Sequence, residues 1–375
     1  MKIFAKIYII AVIVSLCVGC AGSATATSND FDSVIYEPDY ATGFSIMANE
    51  EGATLVRITR PWQGEALQEQ TLAIFPSREM TEGYEGQYIV GPARRVVCMS
   101  TSHIAMLDVI GRVDAVVGVS GKQYVMNEAI AANASVRDVG YDSNLDYETL
   151  VMLRPDVVLM YGVTAENTAV TSKLRELGIP YLYVGDYTEQ SPLGKAEVLV
   201  ALAEIVGCRE RGVEVFEDIV ARYEAVRREV CDGAKPKVMF NLPYQDVWYM
   251  PSDDSYMVRL VEDAGGEYIY KGENPTGGSR GISLEEALML VNRADIWLNV
   301  GQCRTLDELR VAAPHFMTSG VVQRGAVYNN NLRQSPAGGS DFWESAIVHP
   351  DVVLSDMVDI IRGDADSLYY HRRLM

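Results

Sequence analysis

One pattern occurs twice in the chain, far apart, and restricts the fold more than any other feature. The first copy reads NLDYETLVMLRPDVVLMYG, residues 144–162, and the second ISLEEALMLVNRADIWLNVG, residues 282–301. Each opens as an acidic helix start, passes an Asp, and runs through β-branched and apolar residues to a Gly. Asp156 and Gly162 stand at the same spacing as Asp295 and Gly301. A helix feeding a buried strand that opens into a Gly turn is one unit of a parallel α/β sheet, because a strand covered on both faces needs a continuous apolar run. Two such units predict two similar lobes. Ligands of α/β lobes lie beyond the carboxyl ends of the strands, so the functional site is expected between them.

The 375 residues suffice for two or more domains, and 48% of them are hydrophobic, so a substantial core is expected. The formal net charge of −19 argues against a nucleic-acid partner, whose affinity comes largely from Lys and Arg on phosphates. Lys2 and Lys6 precede an apolar run over residues 7–16 that is short for a bilayer span. The stretch LCVGC that follows resembles a bacterial lipoprotein signal, cleaved after Gly19 and lipidated on Cys20, although Cys17 stands where Leu is usual. An ordinary secretory signal cut at a small residue is the alternative. On the lipoprotein reading residues 1–19 are the signal peptide, residues 20–30 a small, polar tether, and the protein is exported and anchored to a membrane by lipid. Cys98, Cys208, Cys231 and Cys303 are scattered, without zinc-type spacing, and nothing requires a disulfide.

Residues 31–91 read as a β-rich extension, with a hairpin turning at residues 49–52. Residues 92–190 form the first lobe and residues 231–375 the second. Between them, residues 191–230 carry apolar positions at helical spacing. They fit a long connecting helix or two ordinary helices broken at Gly207-Cys208, since Gly weakens a helix interior. GVSGK at residues 118–122 lacks the Ser or Thr of a phosphate loop, because Gln123 follows, although Lys122 can still face the cleft.

RRVVCMSTSHIAMLDVIGRVDAVVGVS, DVGYDSNLDYETLVMLRPDVVLMYG, LRELGIPYLYVGDY and ISLEEALMLVNRADIWLNVG, in this order and spacing, resemble the iron-complex, haem and cobalamin binding proteins of ABC importers. The resemblance covers roughly residues 92–362. It implies an α/β fold of two Rossmann-like lobes joined by a long helix, here with the β-rich extension added, and small closure rather than wide hinging. It also implies an ABC permease dimer as partner, with one Glu per lobe docking into Arg pockets. Glu148 matches, eight residues before Asp156. Glu285 and Glu286 precede Asp295 by ten and nine, which leaves the register open there. Ser283 and Glu286 make a capping box, so Glu286 is expected to be occupied locally and Glu285 to dock.

His103 follows a strand where the cleft of this family begins, and is a candidate for the ligand or its metal. Aromatic residues cluster after strand ends: Tyr161 beside Gly162, then Tyr187, Trp248, Tyr249 and Trp343. Flat rings with a polar tip suit a large planar or amphipathic chelate. Arg333 is a candidate for ligand carboxylates. No residue pattern implies a protein-held metal or a cofactor, and no catalytic signature occurs. The expected function is that of a non-enzymatic, lipid-anchored binding protein carrying a metal chelate, a ferric siderophore first, with cobalamin or haem as alternatives. An exported chelatase-like enzyme on the same scaffold is the alternative of another class.

Overall fold

The computed structural model describes residues 30–63, 68–230, 233–275 and 278–375. The signal segment, Cys20 and Cys231 lie outside them. Among the described residues no helix is long and apolar enough to cross a membrane.

The first lobe is built on five parallel strands in the order Tyr181–Tyr183, Val157–Met160, Val96–Cys98, Val116–Val119, Arg137–Asp138. The second repeats the plan. Glu267–Tyr268, Lys237–Phe240, Ile296–Leu298 and Val327–Asn329 run parallel, and Arg372–Arg373 closes the edge antiparallel. The repeat strands Val157–Met160 and Ile296–Leu298 are buried throughout, as coverage on both faces demands. The repeated Asp does one job in both lobes. Asp156 accepts from the backbone N–H groups of Arg94 and Arg95 at 2.8 and 2.9 Å, and Asp295 from that of Lys237 at 2.8 Å. Each carboxylate ties the entry of its strand to the strand beside it.

The repeat helices are Tyr147–Leu153 and Leu284–Arg293, capped by Asp146 and Ser283, whose side chains accept from the N–H groups of Thr149 and Glu286. The second helix is longer at its C-terminal end, which explains the unequal distances to Asp156 and Asp295. Counted from the caps, Glu148 and Glu285 occupy the same position.

The segment between the lobes is three helices rather than one: Pro192–Glu197, Leu199–Ile205 and Arg209–Arg228. The break before the last falls at Gly207, whose φ of +73° and close approach to the Pro92 ring exclude a side chain. The last helix is about 30 Å long. It packs on Leu199–Ile205, which lies against the first-lobe helix Thr101–Val109, and on Pro350–Arg362 of the second lobe, so it links both.

Five strands between Ser33 and Val90 form one sheet, with Phe44–Ala48 and Thr54–Ile58 paired antiparallel across the expected hairpin. Asn49 Oδ1 accepts from the N–H groups of Glu51 and Ala53, and Gly52 takes the left-handed turn position. The sheet covers the edge strand of the first lobe: Tyr181 N–H donates to Gln87 Oε1 at 3.0 Å, and Trp62 meets Tyr183 edge-on. An uncovered strand edge would be open to pairing with another chain. Two buried carboxylates hold the extension down. Glu197 accepts from Tyr36 OH and from the N–H groups of Asp39, Tyr40 and Ala41, all at 2.7–2.8 Å. Glu189 accepts from the N–H groups of Thr42 and Gly43.

The lobes also touch away from the bridging helix. Buried Glu344, from the second half of the chain, accepts from the N–H groups of Met126 and Asn127 in the first lobe, at 2.8 and 2.5 Å. Burial pushes its carboxyl up to about 7, and the two N–H donors only partly oppose this. The ordinary value is 4.5. A folded value above the unfolded one gives stability that is full below about pH 4.5 and is lost as pH rises to about 7. The expected loss across that window is on the order of 3 kcal/mol. Urea melts at a series of pH values should show it. Glu344→Gln, which keeps an acceptor but no charge, should flatten that slope, and an unchanged slope would assign it elsewhere. Lys122 does not face the cleft: its Nζ donates to the carbonyls of Asn133 and Val136.

Candidate functional site

The strand ends of both lobes open onto one cleft of about 1230 Å³. The first lobe contributes residues 100–102, Tyr161 and residues 186–190; the second contributes Asn241, Asn299 and Asn330, each directly after a strand. Asn241 and Asn299 hold left-handed φ angles of +72° and +59°, a conformation Asn tolerates better than most side chains. Asn241 Nδ2 donates to the Tyr249 carbonyl at 2.9 Å. Asn299 Oδ1 and Asn330 Nδ2 are buried and have no partner among the described residues.

The opposite wall carries a hydrogen-bonded chain. Ser100 Oγ lies 2.8 Å from Ser102 Oγ, which donates to Asp186 at 2.9 Å, and Asp186 lies 3.5 Å from His103 Nε2. Burial pushes the Asp186 carboxyl up, but His103, Lys195 and Ser102 together outweigh it and hold it down at about 2. Lys195 Nζ donates to the Asp186 carbonyl at 2.6 Å and lies 4.9 and 5.9 Å from the ring centres of Tyr256 and Tyr187. Burial lowers the Lys195 pKa, against the raising pull of Asp186 and Glu189. The chain is not a nucleophile–base pair, because Ser102 donates to Asp186 rather than to His103.

Of the residues expected at the ligand, Tyr161, Tyr187 and Trp343 stand on the cleft wall. The others do not. His103 is fully buried against Asp186, beneath the floor. Trp248 is fully buried too: its Nε1–H donates to the Phe240 carbonyl at 2.8 Å, and its ring packs on Trp297 and Phe316. Its strand, Trp248–Met250, pairs with Arg280–Ile282 and turns Trp248 into the core. Tyr249, the next residue, points to the exposed face, away from the cleft lining. Gly162 is buried, with the Tyr183 ring and the Pro61 carbonyl against it. Arg333 pairs with Asp341 at 2.6 Å and lies over the Tyr369 ring.

Sequence reasoning missed Lys195, the three Asn residues, and Arg60 and Trp62, which reach the cleft from the extension. An Asn directly after an apolar run, as in KVMFN and IWLN, is a usable signal for a turn at a strand end. Nothing local marks Arg60 or Trp62.

Away from the cleft, Glu148 and Glu285 lie exposed in the first turns of the repeat helices. Four residues on, Met152 and Met289 are 59% and 64% exposed. The pairs Leu150 with Ala287 and Leu153 with Leu290, at matching positions, are buried. Both lobes therefore present the same Glu-and-Met face. Glu286 lies instead beside Tyr270, whose hydroxyl pKa is raised by burial and then by this carboxylate.

The family described as periplasmic binding protein matches residues 96–331. An uncharacterized lipoprotein of Methanocaldococcus jannaschii is 26% identical over 289 residues, 73% of this chain and 66% of that protein, so the chain spans just under two thirds of this relative. Two solved structures share the fold. A periplasmic heme binding protein from Pseudomonas aeruginosa has a TM-score of 0.56 at 15% identity, covering 76% of this chain and 98% of that one. The periplasmic vitamin B12 binding protein of Vibrio cholerae has a TM-score of 0.53 at 16% identity, covering 74% of this chain and 99% of that one.

Proposed function

The chain belongs to the periplasmic binding protein family, and we propose that it captures a metal chelate, a ferric siderophore first, in the cleft between its lobes. Proteins of this type bind small molecules and deliver them to an ABC permease. The observation that carries the reading is the cleft itself. Its volume of about 1230 Å³ exceeds the several hundred Å³ of an ordinary drug-sized site, and Tyr161, Tyr187, Tyr256 and Trp343 line it with rings. Large, partly apolar chelates with polar rims fit such walls. Cobalamin and haem, which the names of the two structural relatives carry, remain the alternatives of the same kind. Lipid attachment at Cys20 would keep the protein beside its permease and raise the effective concentration. Glu148 and Glu285 are the docking groups in this reading. A chelatase-like activity finds no support in the Ser102–Asp186–His103 arrangement, which lacks an activated nucleophile.

The test is titration of the purified protein with ferric siderophores, haemin and cyanocobalamin, followed by tryptophan fluorescence corrected for ligand absorbance. A saturable response is expected for one of them, carried by Trp343 and Trp62 on the cleft rather than by buried Trp248 and Trp297. No saturable response to any member of the panel would remove these cargoes.

A further inference from the structure

We propose that the N-terminal extension supplies a third wall of the ligand site, on which Arg60 receives an anionic group of the bound chelate. The proposal rests on the chelate reading above. The extension lies outside residues 96–331, the part of the chain that matches the family. Yet Arg60, Trp62 and Gln63 line the cleft together with both lobes.

This wall is fixed. Gln63 N–H donates to the Val163 carbonyl at 3.0 Å, Thr188 Oγ1 donates to the Arg60 carbonyl at 2.8 Å, and the Trp62 ring stands edge-on to Tyr183. The first lobe is shaped to receive it. Gly185 has a φ of +78°, and a Cβ there would come within 2.8 Å of the Arg60 carbonyl oxygen. A side chain at Gly162 would crowd the Tyr183 ring at 3.1 Å and the Pro61 carbonyl at 3.4 Å. Glycine at both positions lets the backbone of the extension lie directly on the lobe.

The charge balance of the cleft gives the ligand class. Glu189 is filled by the N–H groups of Thr42 and Gly43, and the Asp186 carboxylate accepts from Ser102 and lies beside His103 and the Lys195 charge. The Arg60 side chain is exposed on the cleft wall, with no hydrogen bond or ion pair among the described residues. The unmatched charge facing the ligand is therefore a guanidinium, whose planar fork matches a carboxylate or similar oxyanion. Lys195, on the facing helix, lines the same cleft, but Asp186 and Glu189 already face its charge.

Calorimetric titration of the wild-type protein, Arg60→Gln and Arg60→Lys with ferric citrate, haemin, cyanocobalamin and metal-free citrate tests this. Arg60→Gln is expected to weaken whichever carboxylate-bearing chelate the wild type takes by tenfold or more, at an unchanged melting temperature, and Arg60→Lys to recover part of the loss. Equal affinities in wild type and Arg60→Gln overturn the proposal. Binding of cyanocobalamin alone, indifferent to Arg60, also overturns it while leaving the importer reading standing. If the wild type takes no chelate, the cargo reading falls and citrate decides the wall by itself. Citrate binding lost in Arg60→Gln supports the wall, whereas binding equal in both, or absent from both, overturns it.

Discussion

Glu148→Ala combined with Glu285→Ala is expected to leave cargo affinity unchanged and to bring delivery to the permease down to background. Both carboxylates lie outside the cleft lining and are exposed in the first turn of their helices. Aligned on the caps Asp146 and Ser283, they occupy the same place on two similar lobes, which suits a partner with two equivalent subunits. Carboxylate and guanidinium pair bidentately and in a fixed direction. Removing one member of such a pair from an interface costs about 2–5 kcal/mol. Two losses together would then weaken the docked complex by roughly a thousandfold or more. Each single variant should fall between, and Glu286→Ala should stay near wild type, because that carboxylate faces Tyr270. The exposed Met152 and Met289 give each docking face an apolar margin. Uptake of labelled cargo, measured beside cargo binding by the same variants, makes the comparison. Transport undiminished in the double variant would point to a tethered receptor that works without this docking.

Glu197→Ala should cost about 4–6 kcal/mol and free the start of the extension. A hydrogen bond to a charged group is worth about 1.5–3 kcal/mol, and an abandoned buried donor costs a further 1–3 kcal/mol. Glu197 is nearly inaccessible and receives four donors, three of them consecutive backbone N–H groups of residues 39–41. Among the described residues no other side chain accepts from those three. The terms are not additive, so the expected loss lies below their plain sum. Glu197→Gln should cost about half as much, since one acceptor oxygen survives while its NH2 faces donors. Urea denaturation gives the stability, and limited proteolysis within residues 36–43 gives the local release. A loss under about 1 kcal/mol would mean that water replaces the carboxylate without penalty. Release of this segment should also disturb the cleft, because residues 60–63 belong to the same sheet's connections.

The repeat was the readable part of this chain. A strand buried on both faces announces itself as an apolar run, and the Asp before it and the Gly after it mark its ends. Both lobes and the hairpin at residues 49–52 followed from such local patterns, whereas the break at Gly207 stood only as an alternative to one long helix. Spacing to the Asp left the match of Glu285 to Glu148 open, because helix length varies at the C-terminal end while the cap defines the N-terminal one. The Ser283 cap read from the sequence favoured Glu285, and the observed caps put it at the same position as Glu148.

The site was legible as a place and much less as a set of side chains. Tyr161 and Tyr187 follow strands that run straight into the cleft, and their rings stand on its wall. Trp248 follows a strand too, but it sits in a short antiparallel strand paired with Arg280–Ile282 that turns it inward, with Tyr249 facing out. His103 sits one residue from Ser102 on a helix start, and one step of rotation buries it under Asp186. The sequence alone therefore determined two parallel sheets and the level at which their strands end, because burial on two faces is a property of neighbouring residues. Which groups meet above those ends was decided only by the tertiary structure. Arg60 reaches the cleft by lying on Gly185 and Thr188, more than a hundred residues away along the chain. Contacts between such distant segments depend on how whole layers pack, and no local pattern encodes them.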